Sequence, residues 1–374
     1  MIRLFCSKSC RLFSYLILAA GLLAGCNNAE TSSKSTTPET EKDSSRIVKD
    51  AVNYRSYGKE VNVYTHRHYE ADKEIFKYFE DKYNVKVNVV KASADELITR
   101  LQREGTSSPA DILITVDAGR MWRAKEMGLI KPMVSQEVME NIPEDFRDFN
   151  HAWVGLTKRA RIVVYAKDRV DPSQIKTYAD LADPKWKGKL LVRSSSNIYN
   201  QSLVASLIAH DGEAKTKEWA QGVVANFARP PKGNDRDQVK AIAQGLGDIA
   251  IVNTYYIAKM MNSDNPEERE AVSKVGIIFP KNSAGKTHIN ISGAAVCQYS
   301  PNLGNASRLL NFLTTAGMQQ RFANGNYEYP VNPIVEPSKV LKDWGDWEED
   351  NIPLESLGEY NQQAVKIFDQ VGWK

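Results

Sequence analysis

The amino-acid sequence predicts an α/β protein of two lobes, each a mixed, mainly parallel sheet flanked by helices, with a hinge and a cleft between them. Two observations carry this prediction. Short runs of alternating or continuous apolar residues are followed, repeatedly, by stretches in which apolar residues recur at helical spacing, and that alternation implies parallel sheets covered by helices on both faces. The chain also has 374 residues, room for roughly two domains of about 150 residues each. No tandem repeat of fixed period runs through it.

In order along the chain, Val61 and Val63 alternate with polar residues as a first strand. Ile75, Phe76 and Phe79 form the apolar stripe of a helix from Glu70 to Tyr83. Val85, Val87 and Val89 alternate as the next strand, and Ser93 with Glu96 forms a capping box opening a helix that ends near Gly105. Ala110 to Val116 is a strand that ends in Asp117-Ala118-Gly119. A second set follows Trp153. Its strands are Arg161 to Tyr165, Leu190 to Val192, Ile249 to Val252 and Val275 to Phe279. Its helices are Asn200 to Ala209, Ala214 to Ala228 and Asp235 to Gln244.

The N-terminus has a different character. Met1 to Arg11 is basic, Leu12 to Leu23 is an apolar run of signal-peptide length, and Leu23-Ala24-Gly25-Cys26 resembles a bacterial lipobox, with Cys26 as the lipidated residue. Residues 27 to 45 are polar and rich in Ser, Thr and Glu, which suits a tether rather than a core. The formal charge is +3, from 49 basic and 46 acidic residues. Arg3, Lys8 and Arg11 precede Cys26 with no acids, so the remainder is neutral and lacks the basic footprint of a nucleic-acid binder. Of four cysteines, only Cys297 lies in the body. It cannot form an internal disulfide, and its small apolar neighbours mark it as buried.

Three strand-to-helix corners share a theme: Tyr64 to Glu70, Arg193 to Tyr199, and Asn253 to Tyr256, each carrying tyrosine. Ligands bind at such corners in open α/β sheets. A tyrosine there can pack, stack on an organic ligand, or ionise and bind a hard cation. The last needs strong local positive charge, because free phenol has a pKa of about 10. A ferric ion favours anionic oxygen donors. Four phenolates around it would leave a net −1, which a nearby arginine would balance. Arg193, Ser194 and their neighbours before a helix could also form an anion pocket or simply cap that helix. His66 and His68 at i and i+2 could bind zinc, but His151, His210 and His288 show no ligand spacing. No nucleophile elbow, Walker A loop or dinucleotide fingerprint is present, and a non-enzyme is expected.

Taken together these residues resemble the bacterial ferric-ion-binding proteins, the solute-binding components of Fe(III) ABC importers. The matching pieces are Val63-Tyr64 leading to Arg67-His68-Tyr69, Ala110-Asp111-Ile112 with Asp117-Ala118-Gly119, and Trp153 to Thr157 with Arg159-Ala160-Arg161. They continue through Leu181 to Gly188, Arg193-Ser194-Ser195, Asn253 to Tyr256 and Tyr327 to Val331. The resemblance implies a type II periplasmic-binding-protein clamshell: a signal peptide over 1–25, Cys26 and tether to 59, a first lobe of 60–157 and 286–374 whose C-terminal helices pack across both lobes, and a second lobe of 158–285. It implies metal ligation by Tyr69, Tyr199, Tyr255 and Tyr256, with His68 as an additional ligand. Arg67, Arg193 and Ser194 would support the site or hold a synergistic anion such as carbonate. The implied partners are an ABC permease and, through Cys26, a membrane, for a monomer in the periplasm or at the cell surface. Two rivals remain at this level. One is the same fold binding an organic or anionic solute, with Trp122 and Asp117 in the site. The other is an exported zinc-dependent enzyme built on His66 and His68.

Overall fold

The computed structural model describes residues 58–132 and 135–374, so the signal, lipobox and tether assignments, including Cys26, lie outside the described residues. Among the described residues ten strands form the sheet: β1 (Glu60–Thr65), β2 (Lys86–Lys91), β3 (Ile112–Thr115), β4 (Ile130–Lys131), β5 (Val154–Ala166), β6 (Leu190–Leu191), β7 (Ile249–Asn253), β8 (Val275–Ile278), β9 (Ile289–Cys297) and β10 (Tyr329–Pro330). The main path runs β2-β1-β3-β9-β5-β7-β6, with β10 and β8 against β5 and β4 against β9.

The sheet is mixed, as expected, but it is not mainly parallel. Parallel pairing is confined to β1–β2, β1–β3 and β6–β7, each joined through an intervening helix. The remaining pairings all involve β5 or β9 and are antiparallel. The cause is the length of β5. Its first half, Val154 to Ala160, pairs with β9, and its second half, Arg161 to Ala166, pairs with β7 and β8. One strand thus belongs to two sheet regions, and a β-bulge between Gly155 and Thr157 bends it near its start.

Each sheet region is covered on both faces. Ile75, Phe76 and Phe79 of helix Glu70–Tyr83 pack with β1, β3 and β9 residues on one face of the first region, and Leu97, Ile98 and Leu101 of helix Ala94–Glu104 cover its other face. In the second region Leu203, Val204 and Leu207 pack over Ile249 and Ile251, while Val239, Ile242 and Ile257 fill the opposite face. The C-terminal chain crosses between the regions. Leu354 and Leu357 join the first, whereas Ala364, Ile367, Phe368 and Trp373 join the second.

Local chemistry agrees with the sequence at several joints. Ser93 and Glu96 exchange both capping-box bonds at 3.3 and 2.8 Å. The two helices expected around residues 200 and 214 run on as Ile198–Ala225, kinked where Gly212 takes φ 82° and ψ 164°, a conformation open to glycine.

Candidate metal centre

Three helix N-termini converge on one point. Tyr69 is the N-cap of helix Glu70–Tyr83, reached from the end of β1 through a turn in which the Arg67 N–H donates to Thr65 Oγ1 at 2.9 Å. Tyr199 is the second residue of helix Ile198–Ala225, whose cap Asn197 accepts the Tyr199 N–H at 3.2 Å. Tyr255 and Tyr256 stand in the first turn of helix Thr254–Met261, directly after β7. A helix N-terminus carries roughly half a positive charge, so the corners bring partial positive charge to the place where the phenols meet.

The four tyrosines form one cluster. Tyr255 Oη donates to Tyr199 Oη at 3.2 Å. The Tyr69 ring lies edge-on to Tyr255 at 6.1 Å, and Tyr256 lies 4.3 Å from Tyr255, centroid to centroid. Tyr255 is fully buried and Tyr69 and Tyr199 nearly so. Burial pushes all four phenols above their ordinary range, and for Tyr255 the three neighbouring phenols add to it. The metal-free site therefore holds neutral phenols.

Cations surround the cluster. The Arg67 guanidinium sits 4.8 Å from the Tyr69 ring, Arg193 and Arg161 lie 5.7 and 5.9 Å from the Tyr199 ring, and Lys259 Nζ stands 4.1 Å over Tyr69. The arginines are anchored by carboxylates. Arg67 forks onto Asp72 through two 3.0 Å bonds and reaches Glu328 at 3.0 Å, and Arg159 donates to the other oxygen of Glu328 at 3.0 Å. Asp235 accepts from Arg161 at 2.9 Å and from Arg193 at 3.4 Å. Burial opposes ionisation of Glu328, but Arg67 and Arg159 outweigh it and hold the carboxyl below its ordinary value. Among the described residues no carboxylate lies within ion-pair distance of Lys259. Its Nζ donates to Asn326 Oδ1 at 3.3 Å, and burial pulls the ammonium down to about 8 with Glu328 opposing.

The expected residues are thus placed unequally. Tyr69, Tyr199, Tyr255 and Tyr256 come together. His68 is exposed at the rim, its ring 5.2 Å from that of Tyr69. Arg67 is buried under Tyr69 with its donors spent on Asp72, Glu328, Ser292 and Thr157, which places it as a support and away from any free anion pocket. Arg193 flanks Tyr199 and stays half-buried, and Ser194 closes a turn by accepting the Ser196 N–H at 3.3 Å. Arg159, Arg161, Lys259, Asp235 and Glu328 were missed as site residues. The signal was there for two of them: Arg159 and Arg161 lie two residues apart on one strand and so share a face.

The structure also bears on the rivals. Trp122 is half-buried and packed against Gly358, where an added Cβ would meet its ring at 2.5 Å. Among the described residues no group of three His, Cys, Asp or Glu side chains is arranged to hold a metal ion, which leaves His66 and His68 without a third ligand of those types.

Comparison with known proteins fits this geometry. The chain matches the family described as bacterial extracellular solute-binding protein over residues 107–350. Iron uptake protein A2 of Synechocystis is 46% identical over 316 residues, spanning 84% of this chain and 90% of that protein. The structure of Trichodesmium IdiA (FutA) in complex with iron and citrate ligands is 46% identical with a TM-score of 0.80, covering 84% of this chain and 100% of that one. The ferric binding protein from Campylobacter jejuni is 44% identical with a TM-score of 0.81 and covers 84% and 100%.

Proposed function

Because the chain belongs to the bacterial extracellular solute-binding protein family, we propose that it captures ferric iron as cargo between its two sheet regions and hands it to an ABC permease. The observation that carries this is the convergence of four phenols, three of them buried and that of Tyr256 partly so, from three helix N-termini inside a ring of cations. Iron-binding relatives of high identity support the choice of cargo.

Each phenol is neutral without metal, so a trivalent cation must displace protons to bind. Four phenolates and one Fe(III) carry a net −1, and the surrounding cations stabilise that charge in a site from which water is largely excluded. His68 at the rim can supply a fifth donor, and Arg193 beside Tyr199 can receive an external anion such as carbonate. Cys26 would be lipidated and tether the protein to a membrane, in the periplasm or at the cell surface, with residues 27 to 45 as the leash. The working unit is a monomer.

Competition of ferric iron between the protein and citrate tests the ligand set. Tyr255→Phe should lower affinity a hundredfold or more, while the double substitution His66→Ala, His68→Ala should lower it far less. The opposite ranking would point to the histidines and overturn the reading.

A further inference from the structure

Asp117 is a buried carboxylate at the meeting point of three parts of the molecule, and iron ligation leaves it unused. It caps helix Ala118–Glu126 of the first region, where Oδ1 accepts the Arg120 N–H at 2.9 Å. Its Oδ2 accepts Asn290 Nδ2 at 2.7 Å, and Asn290 belongs to β9, which lies beside the strand shared by both regions. The same Oδ2 receives the Ser202 hydroxyl from the second region. Ser202 lies three residues after Tyr199 on the same helix, one turn along, and Arg120 grips the adjacent Gln201 Oε1 at 2.9 Å. Asp117, Ser202 and Asn290 are all buried, with exposures of 0, 0 and 4%.

We propose that Asp117 is a positioning residue that latches the two regions together. Through Ser202 it draws the helix bearing Tyr199 onto the first region, so the phenols of Tyr69 and Tyr199 are held at one site. The Ser202 bond joins segments that pack in separate cores, and it is lost whenever those cores separate. Hydrogen bonds to an ionised acceptor are about twice as strong as neutral ones, so the latch shifts the closed-to-open balance with no change in the coordinating atoms.

For its iron assay this inference rests on the ferric reading, so the test has one arm with iron and one without. In the full-length protein, Ser202→Ala should speed iron release to a chelator roughly tenfold or more, with the wavelength of the visible band unchanged. Small-angle scattering of the same metal-free variant should show a larger radius of gyration than wild type. Ser202→Thr, which keeps the hydroxyl, should restore both values, and Asp117→Asn should act like Ser202→Ala if that variant fails to fold. An unchanged release rate and radius in Ser202→Ala, or failure of threonine to rescue, would overturn the latch. If wild type takes up no iron, the ferric reading fails, and the scattering comparison still decides the latch.

Discussion

Lys259 occupies an unusual position for a lysine, half-buried over the face of Tyr69 with no carboxylate at ion-pair distance among the described residues. The four arginines nearby, Arg67, Arg159, Arg161 and Arg193, exceed Asp72, Asp235 and Glu328 by one charge, so Lys259 is one of two positive charges left over beside a proposed site of net −1. Lys259→Met should therefore weaken ferric binding roughly tenfold, as loss of one charge a few ångströms away in a partly buried site implies. It should also move the phenolate band to longer wavelength, because a cation over Tyr69 lowers the energy of the electron that the band transfers. Citrate competition and a visible spectrum check both. His288 makes a different prediction. It is fully buried, and desolvation lowers its pKa to about 4. Since the folded pKa lies below the unfolded value of about 6.5, its contribution to stability is full above pH 6.5 and is lost as pH falls toward 4. Between pH 6.5 and 5 this amounts to about 2 kcal/mol, and His288→Gln should abolish that part of the pH dependence in denaturant titrations.

Among the elements, legibility in the sequence followed the periodicity. Helix Glu70–Tyr83 buries Ile75, Phe76 and Phe79 on one stripe and has the ends that the sequence predicts, because one face is core and the other solvent. Strand β9 went unseen although it runs nine residues, since every residue from Ile289 to Cys297 is buried and a strand covered on both faces shows no alternation. For the same reason the sequence marks only Arg161 to Tyr165 of β5, its second half, and carries no signal for the antiparallel pairing of its first half with β9. The tyrosine corners were legible because they sit where strand and helix patterns meet. Their arginine and carboxylate supports were not, because Glu328 and Asp235 come close to them only after folding. Gly212 tests the reading of the kinked helix. At φ 82° and ψ 164° an alanine is strained, so Gly212→Ala should destabilise by about 1–3 kcal/mol with iron binding retained. Chemical denaturation and a ferric titration report the two effects separately.

For the whole molecule, two sheet regions share β5 and present their phenols to one site, so on the proposed reading ligation would also draw the regions together. The charge balance gives this event a pH dependence. Every phenol that enters the metal-free state protonated must release its proton, so affinity should rise with pH by up to tenfold per unit for each phenol displaced. Loaded protein carried into mild acid should give up iron as protons retake the oxygens.

The measurement that tests the central claim most directly is a visible absorption titration of the purified protein with chelated ferric iron. Phenolate bound to Fe(III) has a charge-transfer band that neither partner shows alone. The account predicts a band that saturates at one iron per protein, grows with pH, and shrinks or shifts in Tyr255→Phe and Tyr256→Phe. A folded protein that binds iron without such a band, or with a band indifferent to both substitutions, would contradict it.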